Sequence, residues 1–373
     1  MIPEPNFPAR PDEFVGRNGP IAAFEQVLDQ GRLTGRTPSC AVLGDWGVGK
    51  SSLLLKYLSI CFEPEYAILP VFSSISTELS DYKRFAESLL DTFTRALETS
   101  TSLEYRLRSE LQKWKLTKVS FGGASLERQG TGRFLTTGTA ILKQALHDAW
   151  TQFIRPANLN GAIFFLDDLH NFVCPSSEGI ALTLRDQFQE FAVHGLNYSL
   201  CFSARADYFS EIRAFAEPAV RFYDKIYLAS FTPVETQEYA AAVFGNSAPI
   251  DEISEWLYAK TFGHPYFLAF VSRQLLTLAQ GSISNPELFW PAIFKRLEHE
   301  KFRSDLANVT EREAQLLRDV AALQNEEIGP SDLSHPYDRN YFKRLTEKAL
   351  LVRVGRGRYK LYHPLFRAFL NER

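Results

Sequence analysis

Residues 44–51 read Gly44-Asp45-Trp46-Gly47-Val48-Gly49-Lys50-Ser51, a full match to the pattern GxxxxGK[ST]. The glycines let the chain curl so that successive main-chain N–H groups point into one concavity, a shape that suits phosphate oxygens. The apolar run Ser39–Leu43 before the loop reads as a strand. After it, Leu53, Leu54, Tyr57 and Leu58 recur at helical spacing, so about Lys50 to Cys61 reads as a helix whose positive end faces the same concavity. Strand, loop and helix in this order distinguish a phosphate-binding loop from a chance glycine-rich turn.

The residue types assign expected roles. Lys50 is placed to bridge the β- and γ-phosphates of a nucleotide, and Ser51 to offer its hydroxyl to Mg²⁺, with Asp45, Trp46, Val48 and Ser52 completing the cradle. Trp46 either covers the loop or the base, or packs into the core. Such a loop needs a carboxylate at the end of another strand. The run Ala162-Ile163-Phe164-Phe165-Leu166 ends in Asp167, the candidate metal-holding acid, and Asp168 follows as the candidate polariser of the attacking water. With no NKxD-like guanine-reading motif in the sequence, ATP is the expected nucleotide.

Further apolar runs at Tyr66–Phe72, Tyr198–Ala204 and Lys225–Leu228 alternate with helical stretches, which predicts a P-loop NTPase parallel sheet with helices on both faces, an α/β fold. Between about Asp81 and Arg155 lies a long interval. Phe85, Leu89, Phe93 and Leu97 recur every four residues at its start, as do Leu142, Leu146, Ala149 and Phe153 at its end. The stretch 118–134 between them suggests a hairpin and a mobile loop, so the interval reads as an insertion of helix–hairpin–helix type.

After Phe231 the strand signals stop. Thr232-Pro233-Val234-Glu235 is a capping box with proline at the first helical position, and the pattern stays helical to about Leu297. Thr310 and Glu313 form a second capping box, a helix follows around Tyr341–Lys348, and Leu350–Val354 and Tyr359–Tyr362 flank Gly355-Arg356-Gly357-Arg358 as a hairpin. The expected domains are 1–230 (P-loop core with the insertion at about 81–155), 231–305 (an all-α lid) and 306–373 (a winged helix).

Several weaker motifs, in order, make the chain resemble AAA+ and STAND-type ATPases of the archaeal, initiator-like kind. Phe14-Val15-Gly16-Arg17 is similar to the box those proteins carry near the adenine, although Asn18 stands where an acidic residue is usual. The resemblance implies that Arg205, after the run Tyr198–Ala204, is a sensor near the γ-phosphate, and that Arg221 is a finger for a neighbouring subunit. It identifies Gly263-His264-Pro265 with the GxP element of the lid, so that His264 and Pro265 belong to the nucleotide site. Lys360–Leu370, KLYHPLFRAFL, resembles the end of the family's winged helix. The residues leave blander roles open: Arg205 paired with Asp207 or a surface carboxylate, Arg221 in a surface ion pair, and His264 merely packed beside Pro265. Many relatives carry glutamate where Asp168 stands, which implies slow hydrolysis and a switch rather than a motor.

Composition limits the partners. A formal net charge of −3, with 23% charged and 45% hydrophobic residues, supplies no global pull toward nucleic acid, so any such contact needs a local patch. Between Asp338 and Lys360 there are eight basic residues against two acidic ones. Lys343 and Arg344 on the helix and Arg356 and Arg358 at the wing tip are the candidate contacts for double-stranded DNA, against a solvated or protein-docking face. A homo-oligomer or a protein partner is the other expected associate. Cys40, Cys61, Cys174 and Cys201 form no CxxC pair, which argues against zinc and fits a reducing, cytoplasmic setting. The polar, proline-rich start and the lack of any long apolar run predict neither a signal peptide nor a membrane span.

Overall fold

The computed structural model describes residues 1–76, 81–100, 110–111, 138–172, 180–245, 249–279 and 283–372. Two compact units result. One comprises Arg10–Gly44 and Lys50–Leu228, the other Met1–Ala9, Asp45–Gly49 and Ala229–Arg373.

The first unit is built on β1 (Cys40–Gly44), β2 (Ile68–Ser74), β3 (Gly161–Asp167), β4 (Tyr198–Ala204) and β5 (Asp224–Leu228). Their spatial order is β2-β3-β4-β1-β5, and every pairing is parallel. Strands β1, β3 and β4 are buried along their whole length, which is why each appears in the sequence as an unbroken apolar run. At the edge, β5 exposes Asp224 and Tyr227, so its apolar signal is shorter. Helices α1 (Asn18–Thr34) and α2 (Lys50–Cys61) meet through Phe24 stacked on Tyr57, ring centroids 4.0 Å apart.

Helices α3 (Tyr82–Thr99) and α4 (Gly138–Ala149) stand at the two ends of the expected insertion. Both are part of the main core. Phe85, Leu89, Phe93 and Leu97 of α3 and Leu142 and Leu146 of α4 are fully buried in one cluster with Phe164 and Leu166 of β3. The four-residue apolar repeat is thus a core face rather than a decoration. The expected hairpin at 118–134 lies outside the described residues. Helices α5 (Ile180–Val193) and α6 (Tyr208–Phe222) complete the unit. Cys40 and Cys201 face each other in the β1–β4 register, and with Cys61 they are buried free thiols.

The second unit opens with α7 (Pro233–Phe244), whose capping box forms as its sequence requires: the Glu235 amide donates to the Thr232 hydroxyl at 3.2 Å and the Thr232 amide to Glu235 Oε2 at 2.9 Å. There follow α8 (Ile250–Thr261), α9 (Pro265–Ala279), α10 (Trp290–Leu297) and α11 (Arg303–Ala307), then α12 (Glu311–Ala322), α13 (Arg339–Glu347), the antiparallel pair β6 (Leu351–Gly355) and β7 (Arg358–Leu361), and α14 (Pro364–Asn371). This final order is consistent with a winged helix. A single cluster runs from Phe267 and Phe270 on α9 through Phe302 to Phe366 and Phe369 on α14, so segments 231–305 and 306–373 share one core.

No helix among the described residues is long and apolar enough to cross a membrane.

Candidate functional site

The sheet order sets the geometry. β4 lies between β1 and β3, with Leu43 in register with Ala204 and Leu166 with Phe202. The carboxyl ends of the three strands therefore line one edge, and Gly44 and Asp167 end strands two places apart, on the order of 10 Å at the usual strand spacing. Ligands of open parallel sheets bind outside that edge.

Between Gly44 and Lys50 the loop depends on backbone freedom that only glycine offers cheaply. Gly47 has φ 76° and Gly49 φ 93°. A Cβ at Gly49 would meet nothing within 4 Å, so the concavity is open there, whereas one at Gly47 would come within 2.6 Å of His264 Cε1. Lys50, Ser51 and Ser52 form the half-buried first turn of α2, which carries no acidic residue to offset its positive end. An open curl of amides, a lysine and a serine hydroxyl at that end fit a phosphate chain and its Mg²⁺.

At the end of β3, Asp167 is 7% exposed and its Oδ1 accepts a hydrogen bond from the Ser203 hydroxyl at 2.6 Å. The same hydroxyl accepts the Asp168 amide at 2.7 Å. Ser203 on β4, fully buried, thus orients the Asp167 carboxylate and pins the Asp168 backbone, and the second carboxylate oxygen of Asp167 leaves it able to hold a hydrated cation. Asp168 sits in the left-handed region at φ 56°, with its side chain partly in solvent. Strained backbone of this kind is concentrated at functional turns.

His170 is a second residue that motif reading missed. It lies on the turn Leu169–Asn171, with Nδ1 buried without a hydrogen bond and 3.9 Å from Asp168 Oδ1. Burial, then the nearby Arg205 and Lys50 charges, pull its pKa down to about 4, so the ring is neutral. The signal was present in the sequence as Asp-Asp-Leu-His, but nothing local distinguished this histidine from a packed one.

The remaining candidates fall as follows. Arg205 follows β4 and makes a 2.7 Å contact with each Glu211 carboxylate oxygen, while its Nε lies 3.4 Å from Asp207. Arg221 is 79% exposed and pairs with Glu217 one turn back at 3.1 Å. Gly16 and Arg17 both adopt positive φ ahead of α1, with Arg17 buried and Phe14 and Val15 half-buried.

His264 is buried, and its Nε2 lies 3.0 Å from the Trp46 carbonyl oxygen. Pro265 opens α9, and the next amide, of Tyr266, donates to the Gly47 carbonyl at 3.2 Å. The Trp46 ring, 40% exposed, packs on Tyr266 at a centroid distance of 4.5 Å. Behind His264 is His363, with ring centroids 5.3 Å apart. Its Nδ1 accepts the Leu365 amide at 3.1 Å, which leaves the proton on Nε2 to donate to the Thr261 carbonyl at 2.9 Å.

Comparison with known proteins bears on this arrangement. Residues 13–193 match the family model described as AAA ATPase domain. Among solved structures, the Walker-type ATPase PABY2304 of Pyrococcus abyssi is similar with a TM-score of 0.61 at 14% identity, covering 97% of each chain. The ORC2 protein of Aeropyrum pernix, solved as ADPNP–ADP complexes, is similar with a TM-score of 0.60 at 12% identity, covering 99% of this chain and 96% of the other. No curated protein sequence matches. At these identities the structures speak for the fold alone. The segment 13–193, which holds both the glycine loop and the acidic pair, is thus similar to an AAA ATPase domain, and it lies within a P-loop NTPase fold.

Proposed function

We propose that this chain binds ATP with Mg²⁺ through Gly44–Ser51 and hydrolyses it slowly, as a nucleotide-dependent switch. The observation that carries this reading is the adjacency of the β1, β4 and β3 ends, which brings the glycine loop and the acid pair, Asp167 aimed by Ser203, to one edge. Under it, the loop amides and Lys50 hold the phosphates, and Ser51 and Asp167 hold Mg²⁺, which offsets charge on the transferred group. Asp168 orients the attacking water, and the neutral His170 stands beside it, Nδ1 3.9 Å from Asp168 Oδ1. Arg205 is the sensor, held by Glu211 until the γ-phosphate competes for it. Box residues Phe14–Arg17 border the adenine. Arg221 acts in a neighbouring copy; its surface pair with Glu217 is worth under about 1 kcal/mol and gives way readily.

Lys50→Ala is the test. Calorimetry should show Mg·ATP binding abolished in that variant, and retained tight binding would refute the site.

The output is proposed to pass through a C-terminal winged helix to duplex DNA in the cytoplasm, within a homo-oligomer, with Lys343, Arg344, Arg356 and Arg358 as the contacts. A second reading, that the same domain docks a protein, has its own support. Glu313, fully buried, takes Arg344 at 3.0 Å and Lys348 at 2.8 Å, and Asp332 takes Arg358 at 2.9 Å. Three of the four candidate DNA contacts therefore already face a carboxylate within the domain, Lys343 the most loosely, 3.8 Å from Glu347. Sizing with and without ATP and duplex DNA at two salt concentrations separates the readings.

A further inference from the structure

Two consecutive main-chain carbonyls of the glycine loop are engaged. The Trp46 carbonyl meets His264 Nε2, and the Gly47 carbonyl takes the Tyr266 amide. That amide is one of the donors that the first turn of any helix leaves without an internal partner, so the loop serves as the cap of α9. Gly47 allows the approach because a Cβ there would collide with the His264 ring.

The Trp46 side chain extends the contact to the end of the chain. Lys301 Nζ stands 4.1 Å from the Trp46 ring centroid, and the Tyr362 ring meets Trp46 edge-on at 6.3 Å. One carboxylate ties the two together: Asp305 pairs with Lys301 at 2.5 Å and accepts the Tyr362 hydroxyl at 2.8 Å. Lys301 and Asp305 are 17% and 13% exposed, so the ammonium lies in a partly dehydrated site, where its attraction to an indole face is stronger than in water. Tyr362 follows β7 directly. A change in the curl of residues 46 and 47 must therefore move the indole against Lys301 and Tyr362, and through Tyr362 against the β6–β7 hairpin.

We infer that Trp46 is a positioning residue that transmits the occupancy of the glycine loop to the C-terminal hairpin, with Lys301, Asp305 and Tyr362 as its latch. The inference rests on the proposed nucleotide site and adds to it a route by which nucleotide state leaves that site.

The experiment uses the full chain carrying 5-fluorotryptophan. The Trp46 ¹⁹F resonance is the one of five that disappears in Trp46→Phe. Mg·ATP and Mg·ADP are titrated with calorimetry on the same sample, and amide exchange is followed over residues 351–363. Saturation should move the Trp46 resonance and change exchange in that segment. In Lys301→Met the exchange response should vanish while nucleotide affinity shifts by only about two- to fivefold, and Lys301→Arg should restore it. Should Lys301→Met not fold, Tyr362→Phe, which removes only the hydroxyl bonded to Asp305, should weaken the same response. Binding by calorimetry with an unmoved resonance, or a full exchange response in Lys301→Met, overturns the latch and leaves the nucleotide site standing. Calorimetry that detects no binding overturns both.

Discussion

The buried Ser203 hydroxyl on β4 donates to Asp167 Oδ1 on β3 at 2.6 Å, so the strand between the loop and the acids also aims the first of them. Ser203→Ala would strand the Asp168 amide, which now donates to that hydroxyl at 2.7 Å, and would free Asp167 to rotate. The loss should cost about 1–3 kcal/mol of stability, the penalty for an unpaired buried polar group. It should also raise the Mg²⁺ concentration needed for half-maximal ATP turnover. A denaturant titration and a Mg²⁺ titration measure the two effects, and an unchanged Mg²⁺ requirement would argue against Asp167 as the metal-holding acid.

Asp168 contributes differently. Its side chain is partly in solvent, so Asp168→Asn should leave nucleotide binding intact while slowing single-turnover hydrolysis, on the order of 10²-fold by comparison with the loss of other transition-state groups. Equal turnover in variant and wild type would remove Asp168 from the chemistry.

Gly47 and Gly49 separate backbone strain from crowding. Gly49→Ala has room for its methyl group and suffers only from φ 93°, whereas Gly47→Ala also drives a methyl to 2.6 Å from His264 Cε1. Left-handed backbone alone costs about 1–2 kcal/mol. Gly47→Ala should therefore be the more destabilising of the two, by thermal denaturation, and should alone displace the His264 ring from the Trp46 carbonyl.

Acid should loosen the fold through His363. Burial, then its neighbour His264, depresses its pKa from 6.5 to about 3. The unfolded chain takes up this proton near pH 6.5 and the folded one does not until about pH 3. Its stabilising contribution is therefore complete above pH 6.5 and is lost as pH falls through that window, by about 2 kcal/mol at pH 5. His170, depressed to about 4, adds loss in the same direction. Urea midpoints at pH 7 and pH 5 should differ accordingly, and His363→Asn should flatten the dependence. An identical slope in that variant would show that another group carries it.

DNA binding, if the winged-helix proposal holds, should be less salt-dependent than its basic residues suggest. Arg344 and Arg358 are committed to Glu313 and Asp332, whereas the exposed pair of Lys343 with Glu347, 3.8 Å apart, is weak and yields, which leaves about two of the four named side chains, Lys343 and Arg356, to displace counterions. The slope of log K against log salt should then be about −2 rather than about −4. Fluorescence anisotropy with a short duplex over a salt series measures it, and a slope near −4 would mean that the intramolecular pairs open on binding.

The parts that were legible share a cause. Strands β1, β3 and β4 are buried on both faces, so each left an apolar run, and the acids at the end of β3 were visible because charge ends such a run abruptly. Both capping boxes formed because their hydrogen bonds span three residues. The edge strand β5 and the role of α3 and α4 were harder to read. A half-exposed strand resembles a loop, and an amphipathic repeat does not reveal whether it faces the main core or an appendage. Ser203, His170, Lys301 and Tyr362 carried no pattern of their own, because a serine in a strand or a lysine in a helix is ordinary until its neighbours are known.

By itself, the sequence determined the glycine loop, the acid pair and the succession of strands and helices. Each of these depends on residues within about a dozen positions of one another, where backbone dihedrals, capping and apolar period act. Only the tertiary structure decided that Ser203 aims Asp167, that Glu313 and Asp332 occupy Arg344 and Arg358, and that Trp46 lies beneath Lys301. Those contacts join residues tens to hundreds of positions apart, and their partners are chosen by strand order and by which faces pack, quantities that no local stretch of chain encodes.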